Sequence, residues 1–353
     1  MSIYINAAGL VSPQKISEED GFLSNPQSYD GLLLKSIDPG YREFIPADMI
    51  RRMGRIIKMG VAASKICLKE AGCEVPDAII TGTGLGCIED TEKFLATMIR
   101  NNEEFLTPTS FIQSTHNTVG AQIALLLKCH GYNFAYVHRG ISFESALTDA
   151  MMRLEAGHSS NVLAGGIDEI TSDSFAIMQR LGFWKRKPLP SLHLYEDQGR
   201  GTIAGEGASF FFLEPSAKAT TYARLDGVST LFEPGSPEEI SEWIRKFLSS
   251  HGTTEAGIDL VITGMNGDPA TDKIYGDVFA GILGSVPKAR YKHLCGEYMT
   301  ASAFGMWLGA TILKNRHVPA TVLSGDPPSD IRNILLWNHF RGTHHSLILL
   351  SRA

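Results

Sequence analysis

The apolar positions of the chain change period several times, and the changes mark its elements. Phe134 to Val137 is a β-prone run that closes on Arg139-Gly140. Phe143, Ala146, Leu147, Ala150, Met151 and Leu154 then fall at i, i+3, i+4, i+7, i+8 and i+11, one face of a helix. Gly157 stops that helix, and Asn161 to Ala164 is a second strand ending at Gly165-Gly166. Strand, helix and strand within residues 133–166 predict a βαβ crossover, with parallel strands and the helix on one face.

Similar signals recur on both sides. Arg55 to Ala71 reads as a helix ended by Gly72, followed by a buried-type strand at Ala78 to Thr81. Ser174 to Gln198 mixes Arg, Lys, Pro, His and aromatics without period and reads as a mobile stretch. Ala208 to Leu213 is a continuous apolar strand, and His345 to Ser351 is the last one. The second half restates the first. Ile79-Ile80-Thr81-Gly82-Thr83-Gly84 recurs as Val261-Ile262-Thr263-Gly264-Met265-Asn266, and the helix at 114–128 finds a counterpart at 297–314. This predicts a duplicated βαβ architecture, with halves 1–220 and 221–353 sharing one body.

Composition narrows the class. The 353 residues are 43% hydrophobic and 20% charged, with 35 Gly and 16 Pro, which excludes disorder, collagen and coiled coil. A net charge of −6 gives no general affinity for nucleic acid or membrane surfaces. Five scattered cysteines, none in a CxxC spacing, predict reduced thiols in a cytoplasmic protein, with no disulfide frame and no metal site. The N-terminus lacks the basic and apolar regions of a signal peptide, and no apolar run reaches membrane-spanning length.

Several local patterns invite chemistry. Gly82-Thr83-Gly84-Leu85-Gly86 follows a strand as a dinucleotide loop would, but Cys87 stands where the third glycine is needed, so a tight turn of small residues is expected. Gly140-Ile141-Ser142-Phe143-Glu144 approaches a nucleophile elbow, with Glu144 in place of its last glycine. Ser142 is therefore a helix N-cap or a nucleophile. Arg51, Arg52, Arg55 and Lys58 stand close on a predicted helix, with 51, 55 and 58 on one face. They form a solvated face or a landing patch for an acidic partner.

Longer segments resemble the β-ketoacyl-[acyl-carrier-protein] synthases of the thiolase superfamily. Gly205-Glu206-Gly207-Ala208 through Glu214 resembles the family's G-x-G-A/G-x-hydrophobic-L-E strand, and Asn161 through Glu169 its D-x-x-x-A-G-G strand. Arg316 to Thr321 resembles G-x-x-P-x-T, and Phe340-Arg341-Gly342-Thr343-His344 stands where G-F-G-G-T-N closes the family's active site. The resemblance implies a thiolase-like αβαβα fold of two similar halves, each on a mixed, mostly parallel sheet.

The family's chemistry uses a cysteine at a strand-to-helix elbow and two histidines that stabilise an enolate, with a lysine five residues before the second. Here the matching positions are Gly140, Asn266 and Glu297, and only Lys292 is kept. Glycine cannot carry an acyl group. An ionised Glu297 would repel a developing oxyanion and is free to pair with Lys292. Arg139 and Phe340 are placed to fill the volume the elbow glycine leaves, along a substrate tunnel. The resemblance thus implies a chain-length-factor-like subunit that lacks the nucleophile and pairs with an active synthase, as heterodimer or homodimer. Such a subunit needs no cofactor of its own. Its ligand would be the phosphopantetheine arm of an acyl carrier protein docking at Arg51, Arg52, Arg55 and Lys58. The enzymatic alternative is a decarboxylase, acyltransferase or hydrolase acting on acyl thioesters through Cys295, Ser142 or a bound water.

Overall fold

The computed structural model describes residues 1–15 and 22–353. Eleven strands form one hydrogen-bonded sheet. They are β1 (Ile3–Val11), β2 (Ala78–Gly82), β3 (Tyr132–Tyr136), β4 (Val162–Asp168), β5 (Gly207–Glu214), β6 (Ala223–Phe232), β7 (Leu260–Thr263), β8 (Lys288–Arg290), β9 (Leu323–Ser324), β10 (Asn333–Phe340) and β11 (His344–Ser351). The principal helices are α1 (Arg55–Ala71), α2 (Ile88–Arg100), α3 (Thr118–Leu127), α4 (Ser142–Glu155), α5 (Ser172–Arg180), α6 (Pro237–Ser250), α7 (Pro269–Phe279) and α8 (Ser302–Asn315).

The strand order is β9-β8-β7-β10-β11-β6-β1-β5-β4-β2-β3. It contains the same five-strand pattern twice. In β3-β2-β4-β5-β1 the first three strands are parallel and the next two pairings are antiparallel. In β8-β7-β10-β11-β6 the same sequence of pairings recurs. Four strands of each five therefore run one way, which is the mixed, mostly parallel arrangement expected. The two patterns meet where Ile3–Ile5 pair antiparallel with Ala223–Leu225.

Strand alternation sorts the apolar side chains into layers. Leu163, Phe210 and Phe212 face α1 and α3, whereas Val162, Ala164, Phe211 and Leu213 face α4 and α8. Ile334 and Leu336 join that same central cluster, and Leu335 and Trp337 pack on α6 and α7. Both faces of each half-sheet are covered, which explains the unbroken apolar runs and gives five layers: helices, sheet, helices, sheet, helices.

Three local expectations are corrected. The strands around 133–166 are not neighbours, because β2 lies between β3 and β4 and pairs in parallel with both. The crossover therefore spans one intervening strand. The counterpart of α8 is α4, not the helix near 114–128: α4 and α8 share the central layer, while α3 packs in an outer one. Period alone could not tell the two layers apart. Finally, the aperiodic stretch 174–198 is built around α5, opened by a capping box at Thr171 and Ser174, and around the buried Trp184 and Lys185. Lys185 Nζ donates to Asp197 Oδ1, Gly199 O and Gly267 O, which joins the loop at 197–199 to a segment far away in sequence. Among the described residues no helix is long and apolar enough to cross a membrane.

Candidate functional site

Two elbows meet at the centre of the molecule. In the first half, β3 leads through a turn at Arg139–Ile141 into α4. Arg139 adopts a left-handed φ of 48°, Gly140 is buried behind it, and Ser142 Oγ braces the turn by accepting from His138 N and donating to Arg139 O. Ser142 is thus the first helical residue and not the N-cap, and it is fully buried with its hydroxyl bonded to the elbow backbone. In the second half, β8 leads through the short helix Lys292–Cys295 and Glu297 towards α8.

The backbone at Glu297 is held by strand-like bonds to the Gly205 segment. Gly205 N donates to Glu297 O, and Glu297 N donates to Ile203 O. A Cβ at Gly205 would lie 2.0 Å from Cys295 O, and one at Gly296 2.5 Å from Ala204 O. Only glycines allow this approach, which gives the Gly205-Glu206-Gly207 motif its structural reason.

Glu297 Oε2 accepts from Lys292 Nζ at 2.6 Å and from Asn266 Nδ2 at 3.0 Å. Lys292 is fully buried, so its charge depends on this partner. Asn266 is fixed in turn: Asp272 accepts from Asn266 N and Gly267 N, and Asn266 Oδ1 accepts from Asp268 N. Burial pushes the Asp272 carboxyl up to about 6, against the two backbone donors that favour its ionised form. The residues matched to the lysine and the two histidines therefore form one connected network.

Gly140, Phe340, Asn266 and Glu297 converge from four segments. Phe340 ends β10 at a reversal through Arg341 and Gly342, both with positive φ (57° and 69°). Its side chain lies directly against Gly140. Phe340, Asn266 and Glu297 line one cavity of about 230 Å³, walled on its apolar side by Met178, Leu181, Phe183 and Trp184. Arg200 and Arg341, both exposed, also line it, and the Arg341 guanidinium stacks 3.8 Å from the centre of the Phe183 ring.

Other sequence expectations fall elsewhere. Arg139 is exposed and does not line the cavity. Cys295 is fully buried in the central cluster, where desolvation holds its thiol well above the usual range, so it does not reach the cavity as a nucleophile. The basic group does not share one helical face. A short helix ends at Ile50, Arg51 and Arg52 are exposed in the turn that follows, and α1 starts at Arg55. Arg55 is already committed: its Nε donates to the buried Glu206 Oε1 at 2.7 Å and its Nη2 to Ser36 O at 2.8 Å. Lys58 is half-buried.

Two carboxylates that organise the site carry no spacing signal. Asp168, at the end of β4, accepts from Thr83 Oγ1, Gly84 N, Leu85 N, and both Thr300 N and Thr300 Oγ1. It ties the glycine turn after β2 to the segment that enters α8, and that turn is the tight, small-residue one expected. Glu206 gathers Lys35, Ser36, Arg55 and Ile170 N. Both lie in motifs quoted above, but only the fold shows which groups they join.

Residues 25–219, more than half of the chain, match the family model described as β-ketoacyl synthase, N-terminal domain. The chain belongs to the β-ketoacyl synthase family. Curated proteins give no match. Among solved structures, the ishigamide ketosynthase/chain length factor is similar at 19% identity with a TM-score of 0.80, covering 100% of this chain and 99% of that one. The ketosynthase ApeO in complex with its chain length factor ApeC, from Xenorhabdus doucetiae, is similar at 18% identity and a TM-score of 0.80, covering 100% and 98%. A third is AntDE:AntF, a type II acyl-carrier protein in complex with its ketosynthase bound to the hexaketide, at 14% identity and a TM-score of 0.76, covering 100% and 99%. At these identities the likeness establishes the fold. The synthase-family chain thus keeps the thiolase-like architecture.

Proposed function

We propose that this chain is a non-condensing, chain-length-factor-like partner of an active β-ketoacyl synthase in fatty-acid- or polyketide-type biosynthesis. The observation that carries the reading is the elbow. Gly140 offers no nucleophile, and Phe340 already fills the space where a side chain would stand. Enolate stabilisation is missing as well. One Asn266 Nδ2 hydrogen is committed to Glu297, and the carboxylate adds negative charge where an oxyanion would develop. Ser142 and Cys295 are both buried and neither lines the cavity, which leaves the acyltransferase, decarboxylase and hydrolase readings to a bound water among the three routes named above.

One surface supports such a partner. β3 is an edge strand, with one side of its backbone unpaired in the sheet. Its outer rings form a ladder, Tyr132 on Phe134 at 6.0 Å and Phe134 on Tyr136 at 5.0 Å, with Phe134 47% exposed. A long aromatic edge left bare is an aggregation hazard, so a partner strand pairing along it fits its chemistry. The neighbours that join a ketosynthase to a chain length factor or a carrier protein support the same kinds of partner. On this reading the ligand is the phosphopantetheine arm of a carrier, and no other cofactor is required.

The test is a condensation assay with a malonyl-carrier and an acyl primer, run on this chain, on a cysteine-bearing synthase from the same pathway, and on the mixture. The expected result is no turnover by this chain alone, a heterodimer on mixing, and a change in product length or yield. Turnover by this chain alone overturns the reading, as does a homodimer that never exchanges with the synthase.

A further inference from the structure

The floor of the cavity has an acceptor to spare. Among the described residues both protein donors to the Glu297 carboxylate, Lys292 Nζ and Asn266 Nδ2, fall on Oε2. Oε1 receives none, although Glu297 as a whole is only 7% exposed and lines the cavity. A carboxylate oxygen in that position seeks a donor from whatever occupies the space beside it.

Charge restricts the occupant further. Lys292 and Glu297 neutralise each other, and Lys292 is held with no exposed surface. A second carboxylate at the floor would meet Glu297 with no free cation beside it, and Asp268 and Glu169 line the same cavity. The remaining cations in the lining, Arg200 and Arg341, are solvent-exposed, where their pull is screened. Length is restricted too: Phe340 sits against Gly140, and the space amounts to about 230 Å³.

We propose that this cavity binds short acyl thioesters whose acyl group carries a hydroxyl, with that hydroxyl donating to Glu297 Oε1, and discriminates against 3-oxoacyl and malonyl thioesters. A ketone presents only acceptors to an acceptor. A malonyl group presents a second anion. A hydroxyl supplies the missing donor without adding charge, while Met178, Phe183 and Trp184 cover the apolar part of the arm. The proposal rests on the preceding reading only in taking the ligand to be a pantetheine-linked acyl group.

The experiment titrates the whole protein with 3-hydroxybutyryl-, 3-oxobutyryl- and malonyl-pantetheine, and with unacylated pantetheine as baseline. It follows the fluorescence of Trp184, which lines the cavity, against a Trp184→Phe control. The expected order is hydroxyacyl at least about tenfold tighter than oxoacyl, with malonyl weakest, because a site that pairs a hydroxyl rejects analogues lacking it. Glu297→Gln should shrink the gap between hydroxyacyl and oxoacyl. Since that variant strands the Lys292 charge, Lys292→Met/Glu297→Gln is measured beside it, with thermal unfolding to confirm a folded protein. Equal binding of the three thioesters, a preference for oxoacyl or malonyl, binding of none above the baseline, or an unchanged gap in the folded variants overturns the proposal. None of these results depends on heterodimer formation, so the two readings fail separately.

Discussion

A side chain at Gly140 and the side chain of Phe340 would occupy the same space. A Cβ built on Gly140 lies 2.2 Å from Phe340 Cβ and 2.6 Å from its Cγ, well inside any real carbon–carbon contact. The elbow position is thus closed to a side chain by packing. The nearest clash is with Phe340 Cβ, whose place is set by the backbone just before the positive-φ residues Arg341 and Gly342, so no rotamer of Phe340 relieves it.

Restoring cysteine at Gly140 should therefore cost stability without creating activity. Overpacking of this kind costs about 1–3 kcal/mol. Gly140→Cys is expected to lower the midpoint of thermal unfolding, and Gly140→Cys/Phe340→Gly, which removes the clashing Cβ, to recover part of the loss. The double-mutant cycle should show a coupling energy well above that of distant pairs. An additive cycle would mean that the two positions do not compete for space.

The buried pair of Lys292 and Glu297 should behave asymmetrically. Lys292→Met leaves an uncompensated carboxylate, and loss of one partner of a buried pair costs about 3–5 kcal/mol. Lys292→Met/Glu297→Leu removes both charges and should regain most of that. Chemical denaturation of the three proteins measures it. A double variant as unstable as the single would show that the network through Asn266, not the charge balance, carries the stability.

Basic residues near the start of α1 should separate by role. Arg51→Glu and Arg52→Glu lie in an exposed turn and should leave the fold intact while slowing carrier association at low salt, with the effect fading as salt rises. Arg55→Glu would set two carboxylates against each other at Glu206 and should instead lower stability at every ionic strength. Stopped-flow association with a carrier, beside thermal unfolding, distinguishes the two outcomes. Unchanged association in both exposed variants would leave Arg51 and Arg52 as solvated surface.

Stability against pH carries two opposing contributions. Burial raises Glu169 to about 7, from an ordinary value of 4.5. Its folded form holds the proton more tightly, so its contribution is full below about 4.5 and is lost as pH rises towards 7. Burial lowers His293 and His345 to about 4 from 6.5, so their contribution is full above 6.5 and is lost as pH falls towards 4. The two contributions have opposite sign in the wild-type chain between pH 4.5 and 6.5. Glu169→Gln removes only the first, so its unfolding midpoint should fall more steeply on acidification than that of the wild type. Parallel pH profiles would remove Glu169 from this account.

Much of the architecture was legible from the residues. The helix at Arg55–Ala71 with its Gly72 cap, the strands at 78–81 and 208–213, and the repeat of 79–84 at 261–266 follow from period and glycine placement. Lys292 and Glu297 were legible as a pair through the family resemblance, which sets them five residues apart with opposite charges. These features are local: the spacing of a few residues fixes which atoms can meet. The tertiary structure decided the rest. It placed β2 between β3 and β4, put α4 and α8 together in the central layer, and spent Arg55 on Glu206, 151 residues away. It set Phe340 against Gly140 and brought Phe340, Asn266 and Glu297 to one cavity. Each of these depends on distant segments being brought within a few ångströms. A one-dimensional pattern records which faces are apolar, but not which of several apolar faces becomes the neighbour.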